Sequence, residues 1–149
     1  MKYKYLAISG LFVICLFSCK KEATAPNNSA LIVGKWYFVK DVSVTYQNKK
    51  EISTTTTTDF TNEDFVEYYN DGSGYFSASS SLGPSLSEFT YKITGSTLTQ
   101  YSSVENAGTP ETITGISATA LSIHEVSLVP DTNDPTITDT GVDDLTFTK

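Results

Sequence analysis

The stretch from Trp36 to Tyr46 constrains the fold more than any other part of the chain. Trp36, Phe38, Val42, Val44 and Tyr46 fall on one phase of a two-residue period, and Tyr37, Asp41, Ser43 and Thr45 fall on the other. Successive side chains of an extended strand point to opposite faces, so this pattern describes a β-strand with one buried side. Lys40 is the one misfit on the apolar phase.

The same grammar continues. A second strand is expected over Asp64 to Asn70, turned by Asp71-Gly72-Ser73-Gly74 into a third over Tyr75 to Ser79, because Asp-Gly between β-formers is a strong hairpin signal. Phe89, Tyr91 and Ile93 alternate with Thr90 and Lys92. Gly95-Ser96 turns into Thr97 to Val104, Gly108-Thr109-Pro110 leads to Glu111 to Ile116, and Ala118-Thr119 leads to Leu121 to Leu128. Leu145 and Phe147 mark a closing strand. Thr61-Asn62-Glu63-Asp64 has the form of a helix cap, but the hairpin straight afterwards favours a strand. Thr54 to Thr58 reads as an exposed loop or edge strand. About eight short strands in meander order suit an all-β, eight-stranded antiparallel up-and-down barrel, which leaves no open sheet edge. A two-sheet β-sandwich is the alternative. The expected inward set is Phe38, Val42, Val44, Phe76, Phe89, Tyr91, Ile93, Leu98, Leu121, Ile123 and Phe147.

The N-terminus follows different rules. Lys2 and Lys4 precede an apolar run from Leu6 to Phe17 of twelve residues, broken only by Ser9 and Gly10. Spanning a bilayer as a helix takes roughly 20 residues. Charge, length and the small residue Ser18 describe a secretory signal over 1–18. Leu16-Phe17-Ser18-Cys19 resembles the lipobox of bacterial lipoproteins. The resemblance implies that Cys19 is lipidated and becomes the first mature residue. It makes the membrane a partner through several acyl chains, which hold stably where one would not. Lys20 stands where an aspartate often marks inner-membrane retention, so the implied address is the outer membrane. Residues 19–30 read as the lipidated cysteine and a tether. Its eleven residues after Cys19 reach at most ~36 Å. Leu31 to Lys149 is then a single domain.

Charge and cysteine content exclude several classes. Every basic residue is a lysine, and removal of the signal leaves eight of them against seventeen carboxylates. With no arginine and no basic stripe, a nucleic-acid partner is not expected. Cys15 leaves with the signal and Cys19 takes the lipid, so no thiol remains for a disulfide or a metal-thiolate site.

Val33-Gly34-Lys35-Trp36 opens the first strand and resembles the Gly-x-Trp signature of lipocalins, with Gly34 and Trp36 as its structural residues. Asp64-Phe65-Val66-Glu67-Tyr68 into Asp71-Gly72, Phe89-Tyr91-Ile93 before Gly95, and Leu121-Ser122-Ile123 extend the likeness to the short lipocalin-like domains of Gram-negative lipoproteins, over 31–149. The Thr-Asp-Tyr-type loop of that family is missing. So is its late arginine over the tryptophan, for which Lys149 is a candidate substitute.

Enzymatic constellations are absent. His124 is the only histidine, and its strand position suggests an exposed or hydrogen-bonded side chain. No Gly-x-Ser-x-Gly, Ser-x-x-Lys or Gly-rich phosphate loop is present. Glu63, Asp64 and Glu67 read as a solvated acidic edge. Asp131-Thr132-Asn133-Asp134, with Asp139, Asp143 and Asp144, is the best candidate for Ca²⁺, but Thr136 and Val142 break the EF-hand pattern. The expectation is therefore no catalytic residue, no cofactor and no metal.

What remains is an outer-membrane lipoprotein whose barrel binds a small apolar molecule, with Phe38, Val44, Phe76, Phe89 and Tyr91 as candidate ligand contacts. An eight-stranded barrel is just wide enough either for one small ligand or for its own side chains. The alternative is a cell-envelope structural or interaction protein with a filled barrel. The bulky inward residues predict a shallow pocket at the open end, with Tyr and Thr at its rim.

Overall fold

A computed structural model of the chain describes residues 27–102, 108–130 and 138–149. A single helical turn, α1 (Asn28–Leu31), precedes the strands β1 (Gly34–Gln47), β2 (Lys50–Thr57), β3 (Phe65–Tyr68), β4 (Ser73–Ala78), β5 (Ser85–Thr94), β6 (Thr97–Ser102), β7 (Thr109–Ile116), β8 (Ala120–Pro130) and β9 (Thr138–Thr148). Sequential neighbours pair antiparallel except β2 and β3, which both pair with β1, and β1 also pairs with β9, which closes the sheet on itself. Closure rules out the sandwich.

The ninth strand comes from sharing one edge of β1. Gly34–Tyr37 pairs with β3, and Asp41–Gln47 pairs with β2. β2 and β3 run in the same direction along that edge, as one strand interrupted by residues 58–64. The wall is thus an eight-stranded antiparallel up-and-down barrel of lipocalin-like form. β2 arises from a two-residue turn in which Asn48 and Lys49 have φ of 52° and 64°. Two left-handed central residues match the twist of the flanking strands. The threonine run is therefore an edge strand, with Thr54–Thr57 opposite Val44 to Asp41.

One bulge inverts the sequence pattern. The β1–β9 register slips between Phe38 and Lys40, leaving Val39 unpaired and 45% exposed. An extra residue in one strand turns the following side chains to the opposite faces. Phe38 faces inward with its partner Phe147. Beyond the bulge Asp41 faces inward with Leu145, and Val42, Val44 and Tyr46 lie outside beside Asp144, Val142 and Thr140. The expectation that Val42 and Val44 point inward is thereby corrected. Lys40 ceases to be a misfit and is exposed.

The core fills one end of the barrel. Ile32, Trp36, Leu98 and Leu121 are fully buried, joined by Val66, Tyr68, Ile123 and Phe147. Burying side chains of this size contributes about 1.5–3 kcal/mol each. Trp36 Nε1 donates to the Ile32 carbonyl at 2.6 Å, which ties α1 across this end. The interrupting loop is pinned by Asp64. It is buried rather than solvated, and it accepts hydrogen bonds from the backbone N–H and hydroxyl of both Thr61 and Ser79 at 2.7–2.9 Å. Those donors, the Ser79 N–H above all, hold its carboxyl down to a pKa of about 2.

Candidate functional site

The buried core gathers at the Trp36 end of the barrel, and the other end is hollow. The hollow is a cup of about 320 Å³. Its walls carry Phe38 of β1, Phe76 of β4, Phe89 of β5, Ile123 of β8, and Leu145 and Phe147 of β9, with Val66 and Tyr68 of β3 also lining it. Phe38 sits in an aromatic cluster, its ring centroid 4.5 Å from Phe147, 5.9 Å from Phe76 and 5.3 Å from Phe60. Gly74 faces Tyr68 on one side and Phe89 on the other, and a Cβ there would run into the Phe89 ring. Glycine at this position lets that ring lie across β4.

A mouth of about 390 Å³ adjoins the cup and shares Phe38, Phe76, Glu125 and Leu145 with it. Asp41 and Asp143 also line the mouth, so its polar side is carboxylate rather than the Tyr and Thr expected from the sequence. Inside the cup, Gln100 Nε2 donates to Glu111 Oε1 at 2.9 Å. The second oxygen of Glu111 and the hydroxyl of Tyr68 are buried without a hydrogen-bond partner. Burial pushes Glu111 up to about 7, with Glu125 adding to the rise and the Gln100 hydrogen bond opposing it. Burial also raises Glu125 and Asp41, each further raised by Asp143. Burial raises the Tyr68 hydroxyl well above the ordinary tyrosine range. Glu111 is therefore a carboxyl that changes charge near neutrality inside an aromatic pocket.

Of the candidate ligand contacts, Phe38, Phe76 and Phe89 come together in the cup wall. Val44 does not, because the Val39 bulge sends it outside. Tyr91 braces the site instead of lining it: its ring stands edge-on to Tyr68 at 5.0 Å, and its hydroxyl donates to the Tyr69 carbonyl at 2.6 Å. Gly34 and Trp36 lie at the closed end. Lys149 Nζ is 4.4 Å from the Trp36 ring centroid and donates to the Val33 carbonyl at 2.9 Å.

His124 pairs with Asp144 on the outer face, Nδ1 to Oδ1 at 2.8 Å. Asp131 and Asp134 of the calcium candidate lie outside the described residues, as does Cys19. Asp139 is buried, and Asp143 lines the mouth. Among the described residues no three His, Cys, Asp or Glu side chains are grouped to hold a metal ion.

Sequence reasoning missed Glu111, Glu125, Gln100, Tyr68 and Phe60. A signal existed for two of them, since Glu111 shares the phase of Ile113 and Glu125 that of Ile123. Phe60 comes from an irregular segment with no periodicity to read.

Comparison of the chain with protein-family models, with curated proteins and with solved structures finds no match.

Proposed function

We propose that this protein is an outer-membrane lipoprotein, held by lipid on Cys19, whose lipocalin-like barrel binds a small apolar molecule. The observation that carries the binding half is the aromatic cup. About 320 Å³ lies at the low end of the range of small-molecule pockets, which are mostly apolar with a few placed polar groups. A barrel serving only as an envelope scaffold has no need of such a hollow, and interiors close-pack where they can. The anchoring half rests on the signal pattern before Cys19. Two or more acyl chains would make release from the bilayer negligible, and the tether lets the barrel stand off the surface.

Each half has its own test. Expression of the full chain in a Gram-negative host with labelled palmitate should label the wild type and leave Cys19→Ala unlabelled. The label should travel with the outer-membrane fraction on a density gradient. Equal labelling of both proteins would end the lipoprotein reading. For the cup, the full-length protein in phosphatidylcholine nanodiscs should bind the neutral fluorophore N-phenyl-1-naphthylamine saturably above an empty-nanodisc blank, and Phe38→Ala should weaken that binding. A signal equal to the blank would favour the filled scaffold.

A further inference from the structure

The charged side chains that line the cup, Glu111 and Glu125, are carboxylates, and none is cationic. Glu111 offers an oxygen with no partner, and the Tyr68 hydroxyl, whose residue is 1% exposed, also has none. Both line the same cavity, together with Glu125 and the rings of Phe38, Phe76 and Phe89. Asp41 and Asp143 extend the negative lining into the mouth. Among the described residues no lysine or histidine lines either space.

A buried polar atom without a partner is destabilising, and a charged one more so. Two such atoms, on residues that line one cavity, define what a ligand has to bring. A carboxylate or phosphate would meet the carboxylates of Glu111, Glu125, Asp41 and Asp143 with no cation to offset them. A neutral apolar molecule would leave both atoms unpaired. An ammonium brings several N–H donors and a positive charge, and aromatic faces attract that charge most strongly when it is desolvated.

We propose that the cup binds a small organic cation, an amine on an apolar body, with its ammonium held between Glu111 Oε2 and the Tyr68 hydroxyl and its body against Phe38, Phe76 and Phe89. This rests on reading the barrel as a small-molecule carrier and names the class of ligand. Glu125, Asp41 and Asp143 draw the cation through the mouth and disfavour anions of the same shape.

Beyond burial, the groups that set the charge of Glu111 are Gln100 from β6 and Glu125 from β8, with Tyr68 from β3 in the same cavity and Asp143 and Asp41 beyond Glu125. Since Glu111 titrates at about 7, its acceptor charge is mostly lost below neutrality. Affinity for a permanently protonated amine should therefore rise with pH, by about tenfold between pH 6 and pH 8.

The test is calorimetric titration of the full-length protein in phosphatidylcholine nanodiscs with phenethylammonium, 2-phenylethanol and 3-phenylpropanoate. These three probes share one apolar body and differ in charge. Phenethylammonium should saturate and bind at least about tenfold more tightly than the other two at pH 8. Glu111→Gln should remove most of that preference and its pH dependence. Tyr68→Phe should weaken the ammonium by a smaller factor without abolishing the pH dependence. If the alcohol or the propanoate binds as tightly as the ammonium, or if wild-type affinity is flat with pH, the cation assignment fails while the carrier stands. If none of the three saturates up to about 1 mM, the carrier reading fails with it.

Discussion

A Cβ placed on Gly34 would stand 3.0 Å from Cε of Lys149 and 3.2 Å from its Nζ. The C-terminal lysine can fold over Trp36 because the residue two before the tryptophan has no side chain. Gly34 also has φ of +126°, which residues with a Cβ rarely adopt. Gly34→Ala therefore meets both a steric neighbour and backbone strain, and should cost about 1–3 kcal/mol. Lys149→Met keeps the apolar stem and loses the cation together with its hydrogen bond to the Val33 carbonyl, at a cost of about 0.5–2 kcal/mol. Denaturant melts of the full chain give both numbers. If the alanine is no worse than the methionine, the glycine serves something other than this strap.

The Val39 bulge separates two valines and a phenylalanine that the sequence places on one face. Val44 lies opposite Val142 on the outside, whereas Phe147 is 2% exposed against Phe38. Val44→Thr should change stability by no more than about 0.5 kcal/mol, while Phe147→Ala should cost about 3–5 kcal/mol. Thermal denaturation compares them directly, and a large loss at Val44 would mean that the register is different.

That bulge also explains where the sequence stops being informative. Phe38, Phe89, Leu98, Leu121, Ile123 and Phe147 were legible as inward because alternation within a short strand is unambiguous. Val42 and Val44 fall on the opposite face because one inserted residue inverts the phase, and the only mark of that insertion in Phe38-Val39-Lys40 is the lysine out of place. The β1–β2 turn carries no sequence signal, because Asn48-Lys49 lacks the glycine that usually announces two left-handed residues. The cup was half legible: its aromatic wall follows from alternation, but its acidic lining depends on which strands meet across the barrel.

Asp64 gathers four donors from Thr61 and Ser79. Asp64→Asn replaces a charged acceptor with an amide that offers its own N–H groups to some of those donors, and should cost about 1–3 kcal/mol at pH 7. The ionised carboxylate is favoured in the folded state, since its pKa there is about 2 against an ordinary 3.8. Its stabilisation is thus present above pH 4 or so and fades as pH falls towards 2. The variant should show a flatter acid limb when melting temperature is followed down to pH 2. An unchanged acid limb would place the acid sensitivity of the fold in other carboxylates.

Glu111 acts with the opposite sign. An unfolded glutamate titrates near 4.5 and Glu111 in the barrel at about 7, so over that interval the unfolded chain has lost a proton that the folded one retains. Stability contributed by this residue is full below pH 4.5, declines as pH rises to about 7, and is level above it. The loss amounts to at most about 3 kcal/mol. Asp41 and Glu125 are raised as well, so they add to the same decline without being removed by a change at position 111. Glu111→Gln keeps the shape of the side chain and presents no carboxyl to desolvate. It should therefore melt later than the wild type at pH 8, by an amount equivalent to about 1–3 kcal/mol, and match it near pH 4. Phenethylammonium should close part of that gap in the wild type alone, because a ligand that favours the ionised carboxylate stabilises only the protein that has one. Equal melting of the two proteins at pH 8 would mean that the Glu111 carboxyl is already solvated.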